Sequence, residues 1–273
     1  MLLKSSSMLR GTTRFAFVFD QDGTLVRNRA FRYAYRRIPE ALGIDVEPRE
    51  FESAFYEVYY SLVREKRYSD AFDWEYVSSM ALSKLGYEYV DGTFTRLVIE
   101  GINRDMVEPV EGAVEVLERI KRAGGIVYIF TNGHYVYQTF ALRKTGLIGF
   151  VDGIVAYEHF KEPKPSSLAY SHVVSAVGLP LDRIFFVGDH PLYDVYGAIN
   201  FGVKNLYWIT KTHNSGVYTV ADLKDDIVEH IWRKYNIRLH IKASDSMTIH
   251  VINELHELLP IIDRILFDDQ VQF

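Results

Sequence analysis

The sequence predicts an α/β fold in which a doubly wound parallel sheet forms the core and a small all-helical domain is inserted into it. Short apolar runs alternate with helix-like stretches, which is the pattern of a parallel sheet covered by helices. Each run is continuously apolar, as expected for a strand buried on both faces. The alternation stops between residues 27 and 107, where the hydrophobic periodicity is helical.

The apolar runs and the stretches between them define a Rossmann-like core. The first run is Phe15-Ala16-Phe17-Val18-Phe19, and it ends at Asp20. Later runs lie at residues 126–130, 154–156, 184–187 and 205–209. Predicted helices fill the gaps between them, at residues 111–123, 135–145, 166–177 and 192–200. The predicted core therefore comprises residues 14–26 and 108–273.

Residues 27–107 are predicted to form the helical cap domain. An apolar stripe at helical spacing runs through Phe51, Phe55, Val58, Tyr59 and Leu62. Further helices are predicted at residues 70–85 and 93–104. The insert begins shortly after the first strand ends, so we expect it to cover the crevice at the strand ends as a lid.

An extra segment, residues 211–242, interrupts the later part of the core. Leu223, Ile227, Ile231 and Tyr235 form an apolar stripe on a helix that is predicted to begin near Asp222. The stripe either packs against the side of the sheet or forms a self-association surface. The chain is therefore expected to be a monomer or a homodimer.

Composition excludes several classes of protein. A net charge of −5 and an isoelectric point near 6.0 argue against a general nucleic-acid binder, which is normally basic. Cysteine is absent, which excludes disulfides and thiolate chemistry. No apolar run approaches the roughly 18 residues of a membrane span, and the apolar stretch within residues 1–13 is too short for a secretory signal. Met8 is an alternative start, and a cytoplasmic location is expected.

Four short segments that follow or lie near the ends of predicted strands carry the polar residues of a phosphoryl-transfer site. The carboxyl ends of parallel strands converge on one crevice, so the four segments can meet there. Asp20, at the end of the first strand, is the candidate nucleophile that would form an aspartyl-phosphate. Asp22 can face the same pocket, where it would protonate the leaving oxygen and later activate water.

Two carboxylates this close require a cation, and Mg²⁺ is the predicted cofactor. A hard ion takes oxygen ligands and usually retains several waters. The predicted ligands are the Asp20 carboxylate, the backbone carbonyl of Asp22 and the Asp189 carboxylate. Asp194 is expected to orient a nearby water or side chain; alternatively, it is a helix-start carboxylate that accepts backbone N–H bonds.

The two remaining segments supply groups for the phosphoryl oxygens. The Thr131 hydroxyl and the backbone N–H groups beside it precede a predicted helix, and helix starts commonly bind phosphate. Lys164 offers a positive charge to the phosphoryl group or to the nucleophile carboxylate. Lys161 competes for this role, and Pro165 favours Lys164 because it stiffens the adjoining backbone.

These motifs, D-Q-D-G-T, T-N-G, K-P and G-D-x-x-x-x-D, resemble those of haloacid dehalogenase (HAD) superfamily hydrolases with a helical cap after the first motif. The resemblance covers about residues 15–210 and includes Gln138 within the stretch that follows Thr131. It implies the same fold, Mg²⁺ and the roles given above, and it adds Asn132 as a phosphoryl-binding residue. The departures are His190, where serine is common, and the long segment 211–242.

The predicted function is a magnesium-dependent phosphatase that hydrolyses a small-molecule phosphate monoester. Dehalogenases of this superfamily lack the second aspartate, so Asp22 favours phosphoryl chemistry. The substrate would be a phosphorylated metabolite such as phosphoglycolate, a sugar phosphate or a nucleoside monophosphate. The alternatives are a phosphomutase and a non-catalytic protein-binding module on the same fold.

Substrate specificity is expected to reside in the cap and at its edge. Arg32 and Arg36 are spaced so that one helical face could present both to a second anionic or aromatic part of the substrate. The alternative is a solvated basic face. His134, just after the T-N-G motif, could contact the leaving group or simply start a helix.

Overall fold

A computed structural model describes residues 15–160 and 162–271. The strands are β1 (Ala16–Phe19), β2 (Val26–Asn28), β3 (Val107–Pro109), β4 (Ile126–Phe130), β5 (Gly153–Val155), β6 (Ile184–Gly188), β7 (Asn205–Ile209), β8 (Gly216–Thr219) and β9 (Thr248–Ile252). The helices are α1 (Ala30–Leu42), α2 (Pro48–Arg64), α3 (Tyr68–Phe72), α4 (Trp74–Lys84), α5 (Thr93–Asn103), α6 (Ala113–Arg122), α7 (Tyr135–Lys144), α8 (Ser167–Val177), α9 (Gly197–Phe201), α10 (Val220–Tyr235) and α11 (Leu259–Val271).

A seven-stranded sheet forms the centre of the molecule. Its strand order is β5-β4-β1-β6-β7-β9-β8, and every neighbouring pair is parallel except the antiparallel pair β8–β9. Strand β1 lies between β4 and β6, with Phe19 paired to Ile129 on one side and to Val187 on the other. Helices flank this mostly parallel sheet, which confirms the predicted fold class. The three strands that precede the predicted site residues are direct neighbours.

The five predicted strands are all present, and the sheet extends beyond them. Strands β8 and β9 were not predicted from apolar runs. Gly216 and Val217, the first two residues of β8, are exposed. This edge strand therefore lacks the continuous apolar run from which a buried strand is predicted. Strand β9 lies beyond residues 15–210, the part of the chain that the family resemblance covers.

Helices α1–α5 pack on one another above the crevice, as the helical pattern of residues 27–107 indicated. The predicted helix at residues 70–85 is divided at Asp73, whose carboxylate accepts a bond from the Tyr76 backbone N–H at 3.0 Å and so begins α4. Strands β2 and β3 form an antiparallel ribbon that crosses both expected boundaries of the insert. The exact division into core and cap stays a prediction.

Helix α10, from the extra segment, connects the two parts of the molecule. It packs on the turn Pro191–Tyr196 of the core and on α2 of the cap. The apolar stripe at Leu223, Ile227, Ile231 and Tyr235 is fully buried within the chain. Packing against the body of the protein, rather than self-association, is therefore the use of this stripe.

In the described ranges, no helix is both long enough and apolar enough to cross a membrane. Buried apolar side chains form one continuous cluster that runs from the sheet into the cap helices. The cap is thus held against the core by side-chain packing as well as by the β2–β3 ribbon.

Candidate active site

A cavity of about 440 Å³ lies between the carboxyl ends of the central strands and the cap helices. The predicted site residues that line it come from the ends of β1, β4 and β6 and from the loop before α8. They are Asp20, Asp22, Thr131, Asn132, Lys164, Asp189 and Asp194. The structure therefore brings together four segments that are far apart in sequence.

Lys164 holds two of the acidic side chains. Its Nζ donates to Asp20 Oδ1 at 2.7 Å, to Asp194 Oδ1 at 2.6 Å and to the backbone carbonyl of Phe130 at 2.9 Å. These bonds use all three protons of the buried ammonium group. The other oxygen of Asp194 accepts the His190 backbone N–H at 3.0 Å. Lys164 thus contacts the carboxylate that is predicted to be the nucleophile, and a contact with a phosphoryl group stays a prediction.

The charges in this cluster are unevenly balanced. Burial raises the pKa of Asp20 well above its usual value, and nearby Asp194 and Asp189 add to the shift although Lys164 opposes it. Burial also raises the pKa of Asp189 to about 7, with a further contribution from Asp194. Burial alone would lower the pKa of Lys164, but Asp194 and Asp20 raise it overall. The ammonium stays charged, yet it does not neutralise three carboxylates.

The donor set fits a divalent cation. One carboxylate oxygen from each of Asp20, Asp189 and Asp194 lies within 4.8 Å of the other two. Thr24 Oγ1 donates to Asp189 Oδ1 over 3.3 Å, and both oxygens of Asp194 accept shorter N–H bonds. Hard oxygen ligands with unbalanced negative charge suit Mg²⁺. Asp20 and Asp189 can both reach one ion in this cluster, and so can Asp194. Coordination by Asp20 and Asp189, and a supporting role for Asp194, stay predictions.

Gly23 allows this close arrangement. Its φ angle is +95°, which favours glycine, and a Cβ at this position would lie 2.6 Å from Asp189 Oδ2. The turn after Asp22 can therefore pass directly over the Asp189 carboxylate. A side chain here would separate the first and last motifs.

Asp22 has an environment quite different from that of Asp20. Its Oδ1 accepts a bond from Asn28 Nδ2 at 3.0 Å, and its Oδ2 accepts one from Gln138 Nε2 at 2.7 Å. Burial raises the pKa of Asp22, although the bonds from Gln138 and Asn28 partly oppose the shift. A raised pKa favours the protonated form that a general acid needs. Both oxygens of its carboxylate are engaged by amides, and coordination of a metal by its backbone carbonyl stays a prediction.

Gln138 links Asp22 to Thr131. Thr131 Oγ1 accepts one bond from Gln138 Nε2 at 3.1 Å and another from the Gly133 backbone N–H at 3.0 Å. With both acceptor positions used, the hydroxyl proton of Thr131 can point to a ligand oxygen. A Cβ on Gly133 would lie 2.0 Å from Gln138 Nε2, so only glycine leaves room for this contact.

Asn132 shapes the loop that carries Lys164. Its side-chain amide donates to the Lys164 carbonyl and accepts from the Lys164 N–H, both at 2.9 Å. The pair of bonds fixes the backbone from which the lysine side chain reaches Asp20. A contact between Asn132 and phosphate stays a prediction. Lys161, the competing lysine, lies outside the described residues.

The residues predicted to set specificity do not line the cavity in the described part of the chain. Arg36 Nε donates to Glu52 at 2.9 Å, and Arg32 is exposed on the same helix. His134 Nε2 lies 3.1 Å from the backbone carbonyl of Phe72 at the end of α3. His134 thus connects the core to the cap, and a direct role in specificity stays a prediction for all three residues.

His190, the departure from the family pattern, joins the site to α10. Its Nδ1 accepts the backbone N–H groups of Leu192 and Tyr193 at 3.2 and 3.3 Å. Burial lowers its pKa well below the usual value, so the ring is neutral and carries its proton on Nε2. That proton is donated to the Tyr235 hydroxyl at 2.7 Å. The sequence singled out His190 but gave no sign of this partner.

Aromatic side chains form most of the remaining lining of the cavity, and we call them the aromatic wall. The cap supplies most of them and the core supplies two: Phe31, Tyr35, Phe55, Tyr56, Tyr59, Tyr60, Phe72, Trp74, Tyr193 and Tyr235. Cap and core meet where the Tyr59 and Tyr193 hydroxyls lie 2.7 Å apart. Sequence analysis placed Phe55 and Tyr59 on the apolar stripe of a helix, but that pattern does not distinguish a ligand cavity from an ordinary core.

Fold and site together define a hydrolase of the HAD type. The family model described as haloacid dehalogenase-like hydrolase matches residues 16–202, well over half of the chain. The chain therefore belongs to the haloacid dehalogenase-like hydrolase family. The family resemblance inferred from the four motifs, and the prediction that this chain is a hydrolase, are both confirmed.

Individual relatives are more distant. A glyceraldehyde 3-phosphate phosphatase from Pyrococcus furiosus is 24% identical over 249 residues, which cover 90% of this chain and 92% of that protein. The pyrimidine 5'-nucleotidase YjjG of Escherichia coli is 31% identical over 110 residues, 40% of this chain and 48% of that protein. The structure of the HAD-hydrolase YfnB from Bacillus subtilis, bound to magnesium, has a TM-score of 0.60 at 20% identity and covers 92% of this chain and 99% of that one. At this identity the structural likeness supports the fold alone.

Proposed function

We propose that this protein is a magnesium-dependent phosphatase that hydrolyses a small-molecule phosphate monoester through an aspartyl-phosphate on Asp20. The observation that carries the proposal is the pair of unlike carboxylates at the end of β1. Asp20 is bound by Lys164 at 2.7 Å, whereas Asp22 is bound by two neutral amides and has a raised pKa. One carboxylate is thus suited to be a nucleophile, and the other to be an acid.

The residues divide the reaction into two steps. An oxygen of Asp20 attacks phosphorus, the bond to the leaving oxygen breaks, and Asp22 gives that oxygen its proton. Asp22 then takes a proton from water, the water oxygen attacks phosphorus, and the bond to Asp20 breaks to release phosphate. The Thr131 hydroxyl donates to a phosphoryl oxygen in both steps. Mg²⁺ held by Asp20, Asp189 and the Asp22 carbonyl would neutralise charge between the phosphoryl group and the nucleophile.

The relatives support a phosphatase more than the alternatives. One relative, which matches over 92% of its own length, is named a glyceraldehyde 3-phosphate phosphatase. The YfnB structure is described as bound to magnesium. Phosphoglycolate, sugar phosphates and nucleoside monophosphates remain the substrate classes in view. A phosphomutase would use the same Asp20 step but pass the phosphoryl group to a second hydroxyl. The cytoplasmic location and the monomeric or homodimeric state stay predictions.

Magnesium dependence can be tested by turnover and by thermal stability. Purified protein should release phosphate from p-nitrophenyl phosphate with Mg²⁺, and chelation should stop the release. Mg²⁺ at about 100 times its Kd should stabilise the fold by about 2.7 kcal/mol, a rise of roughly 5–10 °C in Tm. Asp189→Asn should lose both responses.

The apo form of Asp189→Asn is its own folding control. The raised pKa of Asp189 means that its ionised form opposes folding above the unfolded pKa, so at neutral pH the neutral amide should not lower the apo Tm. Asp225→Asn, on an exposed part of α10, should behave as wild type. Phosphate release that persists in full after chelation would contradict the magnesium proposal, and phosphoryl transfer without release would favour the mutase.

A further inference from the structure

We propose that the leaving group of the substrate is a planar aromatic or heteroaromatic ring that binds against the aromatic wall. The inference rests on the proposed phosphatase function and specifies its substrate class. It follows from how polar and apolar groups are distributed within a single cavity. The volume of about 440 Å³ lies within the range of small-molecule sites, about 300–1,000 Å³.

The chemistry is confined to one end of this cavity. The carboxylates, Lys164 and Thr131 lie at the carboxyl ends of the strands, where the phosphoryl group must bind. From there the cavity extends between the cap helices and α10, and its lining becomes mostly aromatic, with Lys234 beside the Tyr235 ring. Whatever the phosphoryl group is esterified to must therefore occupy the aromatic part.

The tyrosine hydroxyls of the wall are largely occupied by one another. Tyr59 and Tyr193 share a hydrogen bond at 2.7 Å, and the Tyr235 hydroxyl accepts from His190 at 2.7 Å. Tyr56 donates to Tyr35 at 3.1 Å, and Tyr35 in turn donates to Glu52. A polyol or a hydroxy acid would lose its hydration here and find few free partners. The wall offers mainly ring faces and edges, and Lys234 adds an ammonium group 5.3 Å from the centroid of the Tyr235 ring.

The rings already pack in the geometry that an aromatic ligand would continue. Phe72 and Tyr193 have centroids 5.0 Å apart with an interplanar angle of 74°, and Tyr60 and Tyr235 lie 5.7 Å apart at 69°. These edge-to-face pairs are in direct contact and join the cap to the core within the lining of the cavity. Aromatic ligands bind best in edge-to-face or offset stacked arrangements at such distances. Tyr60 is only partly buried and lines the cavity, so it can be altered without emptying the core.

The test compares phosphate esters of alcohols with similar acidity, so that differences report on recognition. Benzyl phosphate, cyclohexylmethyl phosphate and glycerol 3-phosphate would be assayed with Mg²⁺ on wild type, Tyr60→Leu and Tyr60→Phe. We expect kcat/KM for benzyl phosphate to exceed that for glycerol 3-phosphate at least about tenfold, and to exceed that for the saturated ring. Tyr60→Leu should reduce this preference, whereas Tyr60→Phe should retain it. Phe267→Leu, on the exposed side of α11, is the matched control.

The outcomes separate this inference from the proposed function. Phosphate release without preference for the aromatic ester, or a preference that Tyr60→Leu leaves unchanged, would overturn the inference and leave the phosphatase standing. If no ester is hydrolysed, the proposed function fails. The preference of the aromatic wall for an aromatic ring can still be tested by the binding of phosphonates that are not hydrolysed. Benzylphosphonate should then raise the Tm more than cyclohexylmethylphosphonate does, and equal shifts would overturn the inference.

Discussion

At the strand end of the cavity, the carboxylates and Lys164 stand close to the ends of the central strands. The aromatic rings stand instead on the cap helices, on the turn Pro191–Tyr196 and on α10. The backbone at the strand end is tied by close contacts such as those of Gly23 and Asn132. The aromatic wall depends instead on the packing of α2 and α10 across the cavity. Changes at the strand end should therefore affect every substrate, and changes at the cap end should alter only the preference among substrates.

The largest expected effect is that of Asp20→Asn. The amide has nearly the same shape but cannot attack phosphorus, so kcat should fall by about 10⁴-fold or more for aromatic and aliphatic esters alike. Phosphate release over several hours, measured with Mg²⁺, checks this. The covalent phosphoryl-enzyme should also be undetectable after acid quench. A loss confined to one class of ester would break the proposed division between the two ends of the cavity.

Asp22→Asn should have the next largest effect, and its size should depend on the leaving group. Without a proton donor, kcat for an alkyl phosphate should fall by roughly 10²–10⁴-fold. p-Nitrophenol leaves readily without a proton, so kcat for p-nitrophenyl phosphate should fall much less in the first step. Pre-steady-state release of p-nitrophenol checks this contrast. An equal loss for both esters would mean that Asp22 does not protonate the leaving oxygen.

The same contrast explains what sequence reasoning could and could not find. The residues at the strand end lie close after buried strands and carry motifs with fixed spacing, so the sequence alone is enough to name Asp20, Asp22, Lys164 and Asp189 as candidate site residues. The neighbouring order of β1, β4 and β6 then brings them together. Their partners were harder to find: Asn28 is a lone amide with no pattern around it, and its contact with Asp22 exists only in three dimensions.

The cap end gave a weaker signal for a physical reason. The stripe containing Phe55 and Tyr59 has the same periodicity whether it faces a core or a cavity. Tyr235 was predicted to lie on the apolar stripe of a helix, but the surface against which that helix packs was not predicted, because nothing in the sequence fixes it. The bond from His190 to Tyr235 joins residues from two segments whose proximity depends on that packing.

Gly133→Ala should sharpen the comparison by disturbing the strand end without removing a reactive group. The new Cβ would collide with Gln138 Nε2, and Gln138 would have to leave both Thr131 and Asp22. Overpacking should lower the free energy of unfolding by about 1–3 kcal/mol. Misplacement of the acid should lower kcat by up to about 10²-fold. Urea denaturation and steady-state kinetics measure the two effects.

Gly149→Ala is the matched control, because a Cβ at Gly149 meets no atom within 4 Å and its φ angle is not in the left-handed region. It should leave both kcat and stability close to wild type. If Gly133→Ala retains full kcat while stability falls, the link from Gln138 to Asp22 is structural only.

The smallest predicted effect concerns Lys234, whose ammonium lies 5.3 Å from the centroid of the Tyr235 ring. It lines the cavity from α10 while remaining open to water. Burial lowers the pKa of Lys234, and the negative charge of Asp189 opposes that shift. The Lys234 ammonium therefore interacts electrostatically with the acidic cluster. Lys234→Met should raise KM for every phosphate ester by roughly twofold to fivefold, about 0.4–1 kcal/mol, with kcat unchanged.

Salt distinguishes this effect from a lost contact with the ring. A long-range attraction for the phosphoryl dianion should weaken as ionic strength rises, so the difference in KM between Lys234→Met and wild type should shrink at high salt. Lys204→Met, an exposed lysine before β7, is the control and should leave KM unchanged. A larger KM for benzyl phosphate alone, insensitive to salt, would instead assign Lys234 to the aromatic wall, because its aliphatic chain would then be packing on the ring of the leaving group.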